Sequence, residues 1–203
     1  MADSPDTPGT EPSGTGRNGG GRVRILLISG STRPGSTNTA ALRTFEAVAP
    51  ENISTELYTG LADVPAFVPG DGPSPAAVAD LRERLAAADA MLFCSPEYAG
   101  LIPGSLKNLL EWTVGTADLH EKPVAWINVA AEGRGDGAIA SLRTVLGYVG
   151  AEIIESACPR ITVLGAMVGP DGTVADPEAR RRLTAVAEEI AGHLTRHAGA
   201  RDR

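Results

Sequence analysis

Residues Val23–Asn38 read VRILLISGSTRPGSTN, and the order of chemistry along this stretch decides the fold. Val23–Ser29 is an apolar run of strand length, the pattern of a strand buried on both faces. Gly30 ends it. A polar loop follows, and helical spacing begins at Asn38 and runs to Val48, with Ala41, Phe45 and Val48 on one face. A strand that hands over to a helix through a glycine-bounded loop opens a parallel α/β sheet.

The same alternation continues downstream. Ile53–Tyr58 and Ala90–Cys94 read as strands, as does Pro123–Ala130, and a fifth strand is expected within Arg160–Leu164. Between them lie helices at Pro75–Ala88, with Ser74 as N-cap, at Pro103–Val114, stopped by Gly115, and at Asp136–Val149, closed by Gly150. A last helix starts near Pro177 with Asp176 as cap and buries Leu183, Val186, Ile190 and Leu194. Five strands alternating with five helices predict an α/β fold, a doubly wound five-stranded parallel sheet with helices on both faces. In such sheets ligands bind at the carboxyl ends of the strands, where strand order reverses. The loops after the first, third and fourth strands are therefore the ones to read.

Composition bounds the function. The chain has 203 residues, with 18 Lys plus Arg against 25 Asp plus Glu, a net charge of −7. That balance argues against a nucleic-acid binder, which needs many cations against phosphate. Hydrophobic content of 42% supports a real core, built from Ala, Val, Leu and Ile because only three Phe, two Trp and three Tyr are present. Two cysteines, Cys94 and Cys158, make no disulfide framework. No apolar run approaches the ~20 residues of a membrane helix, and the amino terminus lacks the apolar stretch of a secretory signal. A soluble, cytoplasmic protein is expected, with no membrane or nucleic-acid partner.

Residues 1–22 are expected to be a disordered Gly/Pro-rich tail: 14 of the 22 are Pro, Gly, Ser or Thr, and none is Val, Ile, Leu or aromatic. The GxGxxG at Gly14–Gly19 falls in this tail, before the first strand, where a dinucleotide fingerprint has no strand to follow. The folded domain is expected over 23–198, with a short tail at 199–203.

The first loop, Gly30–Asn38, carries hydroxyls at Ser31 and Ser36, the Asn38 amide and the Arg33 guanidinium at the start of a helix. This is a cradle for a dianionic phosphate, aided by the helix macrodipole. The competing reading is a capped helix behind a polar turn, with Ser36 or Asn38 as the cap. There is no GxxxxGK[ST], and neither cysteine has an arginine six positions on, so a P-loop NTPase and a cysteine phosphatase are excluded.

The second loop belongs to Ser95–Trp112, SPEYAGLIPGSLKNLLEW. Pro96 ends the strand and Pro103 opens the helix, leaving a rigid loop whose free backbone N–H groups can face the heteroatom edge of a planar ring, with Tyr98 as a flat wall or an ordinary surface aromatic. Glu97 reads as a cap or ion-pair partner, not a general base, since no titratable group stands beside it. Trp112 reads as core or subunit interface.

Together, GSTRPGSTN and SPEYAGLIPGSLKNLLEW closely resemble the NAD(P)H-dependent flavin reductases of flavodoxin-like fold, a family of quinone, azo-dye and chromate reductases. The pattern GSxRxxSxN is matched by Gly30, Ser31, Arg33, Ser36 and Asn38. The pattern PEYNxxxPGxLKNxxDW is matched except at Ala99 and Glu111. The resemblance covers roughly Val23 to His197. It implies non-covalent FMN, with phosphate at Ser31, Arg33, Ser36, Thr37 and Asn38 and the isoalloxazine against Pro96, Glu97, Tyr98, Ala99 and Gly100. It also brings the third loop, Glu132, Gly133, Arg134 and Gly135, to the flavin or its ribityl chain.

Arg134 would then stabilise negative charge on the reduced ring, or else pair with Glu132 or Asp136. NADPH or NADH would be co-substrate, with a small acceptor such as a quinone, free flavin, azo compound or metal oxyanion in a ping-pong cycle that needs no protein acid or base. A homodimer or homotetramer is implied, with the helix Pro103–Gly115 as the contact. The alternatives are a flavodoxin-type electron carrier that never meets nicotinamide, and a flavin-free structural or regulatory protein. His193 and His197 stand four apart on the last helix, but no third metal ligand is evident and no metal is expected.

Overall fold

The computed structural model describes residues 22–70 and 72–201, the last four by backbone alone. Residues 1–21 of the expected tail, with its GxGxxG, lie outside these residues. The strands are β1 Val23–Ser29, β2 Ile53–Tyr58, β3 Ala90–Cys94, β4 Pro123–Ile127 and β5 Glu152–Ile153. The helices are α1 Thr37–Val48, α2 Ala76–Ala87, α3 Gly104–Trp112, α4 Asp136–Tyr148 and α5 Pro177–Arg201. The sheet order is β2-β1-β3-β4-β5, and every pair is parallel.

Alternation along the strands divides the core in two. Ile25 and Leu27 of β1, with Leu92 and Ile127, pack under α1 and α5 against Phe45, Leu183 and Ile190. Leu26 and Ile28, with Met91, Phe93 and Trp126, pack under α2, α3 and α4 against Leu81, Leu106 and Leu142. Helices thus cover both faces, which is why the strands read as continuous apolar runs. The chain winds one way from β1 to β2 and the other way from β3 onward, so the reversal of order falls between β1 and β3.

Most element ends follow local chemistry. Asp176 caps α5, its Oδ1 accepting from the Ala179 N–H at 2.8 Å. Gly150, at φ +73, closes α4 in a left-handed turn in which Ala151 N–H donates to Leu146 C=O at 3.0 Å. Ser74 does not cap α2; the cap position is Pro75, and the Ser74 hydroxyl instead accepts from Arg82. α3 stops at Trp112 because Thr113 turns both its N–H and its hydroxyl back on Leu110 C=O. α5 runs to Arg201, beyond the boundary expected at 198.

The fifth strand corrects the sequence reading. The ladder partner of β4 is Glu152–Ile153, not Arg160–Leu164. A 3-10 turn at Glu155–Ala157 and Pro159, which has no N–H to give, then interrupt the edge. The chain rejoins beyond it, where Ile161 N–H donates to Asn128 C=O and Val163 N–H to Val129 C=O. β4 accordingly ends at Ile127, and Asn128–Ala130 forms its irregular extension.

Candidate functional site

Three loops at the carboxyl ends of β1, β3 and β4 press against one another. Gly30 carries no Cβ where one would lie 2.4 Å from Ser95 Oγ, so the first and second loops meet there in van der Waals contact. Gly137 plays the same part between the second and third loops, since a Cβ would fall 2.1 Å from the Gly100 carbonyl oxygen. Glycine at these two points is what lets the loops close together.

The first loop turns some of its polar side chains inward and leaves others in solvent. Ser31, Ser36 and Asn38 are buried, while Thr32, Arg33 and Pro34 are exposed. Ser36 is the N-cap of α1; its Oγ accepts from Asn38 N–H at 3.2 Å and from the Asn38 side-chain amide at 3.3 Å. Asn38 Oδ1 in turn accepts from the Cys94 thiol at 3.4 Å. Burial pushes the Cys94 thiol far above its ordinary value, so it serves as a small core residue and weak donor. Ser31 Oγ accepts from the Arg33 N–H at 3.3 Å, and Ser29 Oγ meets Thr39 Oγ1 at 2.8 Å. The cap reading of Ser36 is therefore correct, and Asn38 is a strut under the loop. The Arg33 guanidinium has no hydrogen-bond or ion-pair partner among the described residues.

The second loop is a tight hairpin. Tyr98 N–H donates to Leu101 C=O at 2.9 Å and Leu101 N–H to Tyr98 C=O at 3.1 Å. Ala99 and Gly100 between them both have positive φ, +50 and +80, the signature of a type I′ turn. Glycine and asparagine favour this left-handed region and alanine does not, so Ala99 sits there at a cost. Tyr98 is half exposed at 52%. Glu97 caps a helix, as expected of it, but that helix belongs to the neighbouring loop: its Oε2 accepts from the Ala138 N–H of α4 at 3.1 Å. Behind the hairpin, Asn108 accepts from Phe67 N–H and donates to Pro65 C=O, and Trp112 Nε1 donates to that same carbonyl at 2.9 Å. The LKN…W segment is thus a clamp on the 64–67 stretch, with Trp112 in the core.

The third loop is the exposed one. Gly133 and Gly135 both have positive φ, and Glu132 and Arg134 point to solvent. Asp136 does not pair with Arg134; it is taken by Arg160. The Arg160 guanidinium also donates to the carbonyls of Ala130, Ala131 and Arg134, at 3.1, 3.0 and 2.6 Å. Arg160 was not legible as a site residue. Its signal lay only in its place on the chain that rejoins β4, directly beside this loop. Arg134 keeps a free guanidinium among the described residues.

Known proteins bear on these loops. Residues 23–179 match the family model described as NADPH-dependent FMN reductase. The NAD(P)H-dependent FMN reductase PA1204 of Pseudomonas aeruginosa is 34% identical over 170 residues, 79% of this chain and 89% of that protein. The quinone reductase of Escherichia coli is 30% identical over 125 residues, 60% of this chain and 65% of that protein, so the match spans just under two thirds of its length. Among solved structures, the flavoenzyme NAD(P)H:(acceptor) oxidoreductase FerB of Paracoccus denitrificans superposes with a TM-score of 0.72 at 24% identity, over 84% of this chain and 98% of that one. A flavodoxin, WrbA-like protein from Agrobacterium tumefaciens superposes at 0.54 and 16% identity, over 85% and 99% of the two chains, which marks the sheet as flavodoxin-like. The matched span runs from the first residue of β1 into the start of α5 and contains all three loops: this chain belongs to the NADPH-dependent FMN reductase family.

Proposed function

We propose that the chain is an NAD(P)H-dependent oxidoreductase that holds FMN across the three loops. The observation that carries this reading is the cradle at the head of α1: buried hydroxyls at Ser31 and Ser36, the first free N–H groups of a helix, and an unpaired Arg33 guanidinium beside them. These donors fit a phosphate dianion. The type I′ turn fits the ring, because its apex amides at Ala99 and Gly100 stand clear of the hairpin's own hydrogen bonds.

Bound FMN would supply the redox chemistry, taking hydride from NADPH or NADH and passing electrons to a small acceptor such as a quinone, free flavin, azo compound or metal oxyanion in turn. The protein's part is to bind, orient and set charge. Ser31, Arg33, Ser36 and Thr37 hold the phosphate, and Asn38 fixes Ser36. Pro96, Glu97, Tyr98, Ala99 and Gly100 form the platform for the ring. Glu132, Gly133, Arg134 and Gly135 close the third side, where Arg134 would supply a positive charge to stabilise the reduced ring. Glu97 is engaged as a cap, and no side chain is asked to move a proton.

The purified protein is expected to be yellow and to oxidise NAD(P)H when a quinone is added. Colourless protein that stays inert after FMN is supplied refutes the reading. Bleaching by a partner reductase but not by nicotinamide would make it an electron carrier instead.

We also propose a homodimer through α3 and α4. Leu110, Val114, Val145 and Tyr148 line a groove of about 230 Å³ between these helices, rimmed by the Lys107–Glu111 ion pair. Tyr148 is 88% exposed on this apolar ground, an uncommon place for a large aromatic unless a second copy covers it. Light scattering is expected to give twice the chain mass, and a monomer mass removes the proposal.

A further inference from the structure

We propose that Glu152, His193 and His197 form a binding site for a divalent transition metal, with Zn²⁺ the fitting ion, at the end of the sheet opposite the three loops. The two histidines alone lacked a third ligand. The fold supplies it, because β5 brings Glu152 under the last turns of α5. One ligand atom from each residue can be chosen so that all three lie within 4.8 Å of one another.

The distances suit a metal. Glu152 Oε1 lies 3.0 Å from His193 Nε2 and 3.3 Å from His197 Nε2. A tetrahedral zinc with bonds of about 2.05 Å holds its ligand atoms about 3.3 Å apart, the edge of the tetrahedron. A small movement of the carboxylate outward admits the ion.

The hydrogen bonding suits it too. His197 Nδ1 lies 2.9 Å from the His193 carbonyl oxygen, which can only accept, so Nδ1 carries the proton. In the neutral ring Nε2 then presents its lone pair, and it presents it to a carboxylate oxygen. Two acceptors face each other there, and a cation between them makes the contact favourable. One divalent cation satisfies both rings and the carboxylate together. The bond from Nδ1 to a backbone carbonyl is also the usual outer-shell support of a metal-bound histidine.

Glu152 pairs with Pro123 at the amino end of β4, so the site is remote from the flavin loops. His193 is mostly buried and His197 half exposed, which leaves the fourth position to water. The ion would pin the end of α5 to the short edge strand β5, a structural role independent of electron transfer.

The test is isothermal titration of the full-length protein, stripped with chelator and with its FMN content measured before and after, using ZnCl₂. A single Zn²⁺ per chain is expected, with a raised melting temperature and unchanged flavin content. His197→Ala, at an exposed position, and Glu152→Gln are each expected to weaken binding by more than about a hundredfold, since losing a ligand costs at least as much as losing its outer-shell support. His120→Ala, the remaining histidine, is expected to bind as wild type does. Wild-type protein that takes up no stoichiometric zinc overturns the proposal. So does binding that persists in His197→Ala and Glu152→Gln at wild-type strength.

Discussion

The first and third loops both press on the second, yet they are built in opposite ways. The first buries Ser31, Ser36 and Asn38 and ties the last two together, from the Cys94 thiol through Asn38 to Ser36 at the head of α1. The third leaves Glu132 and Arg134 in solvent and is held by Arg160, through three of its backbone carbonyls and the Asp136 carboxylate. A loop that is already ordered loses little entropy when a ligand arrives, so the first suits tight retention of a phosphate. A loop anchored mainly by its carbonyls keeps the Arg134 charge free, so the third suits tuning of what lies beside it.

Six substitutions can break or sharpen this contrast. The largest effect is expected at the contact between the second and third loops. Gly137→Ala places a methyl against the Gly100 carbonyl and should cost about 3 kcal/mol in urea unfolding. Gly133→Ala, in open space but at φ +74, should cost only about 1 kcal/mol. Equal costs would mean that the loops do not touch as described.

Arg33→Ala should weaken FMN retention by about 1–3 kcal/mol, the scale of a charge-assisted bond, with stability unchanged. Unaltered affinity by fluorescence titration would move the phosphate out of the first loop. The third loop offers a matched pair of arginines. Arg160→Ala should cost about 1–2 kcal/mol and speed amide exchange over 130–136, because three carbonyls and Asp136 lose their donor. Arg134→Ala should change stability by less than about 0.5 kcal/mol. It should instead lower the reduction potential of bound flavin by about 10–30 mV, roughly 0.5–1.5 kcal/mol for two electrons. If the two variants behave alike, anchor and free charge are not separate roles.

The smallest effect has the opposite sign. Ala99→Gly relieves a left-handed alanine and should stabilise the protein by about 0.5–1 kcal/mol. A loss of stability there would mean the alanine methyl makes contacts that outweigh its backbone cost.

Much of the site was readable because its chemistry is local. Ser36 as cap (the competing reading of the first loop), the rigid loop between Pro96 and Pro103, and the glycines of the third loop all follow from neighbours in the chain. What escaped reading came from partners far apart in sequence. Glu97 could be assigned to capping, but its helix, 41 residues on, could not be named. Arg160 looked like the first residue of a strand, and its four partners sit 24 to 30 residues earlier. The fifth strand was misplaced for a related reason: Glu152–Ile153 is too short to show a period, and only pairing with Pro123 and Val124 makes it a strand.

By itself, then, the chain's pattern determined the alternation of strands and helices, the doubly wound sheet and the polar loop at the head of α1, since apolar periodicity and capping act over a few residues. Tertiary structure alone decided which loops touch, which arginine is spent and which is free, and that Glu152 meets the two histidines. Those outcomes depend on distances between segments that only the closed sheet brings within bonding range, and no local pattern encodes them.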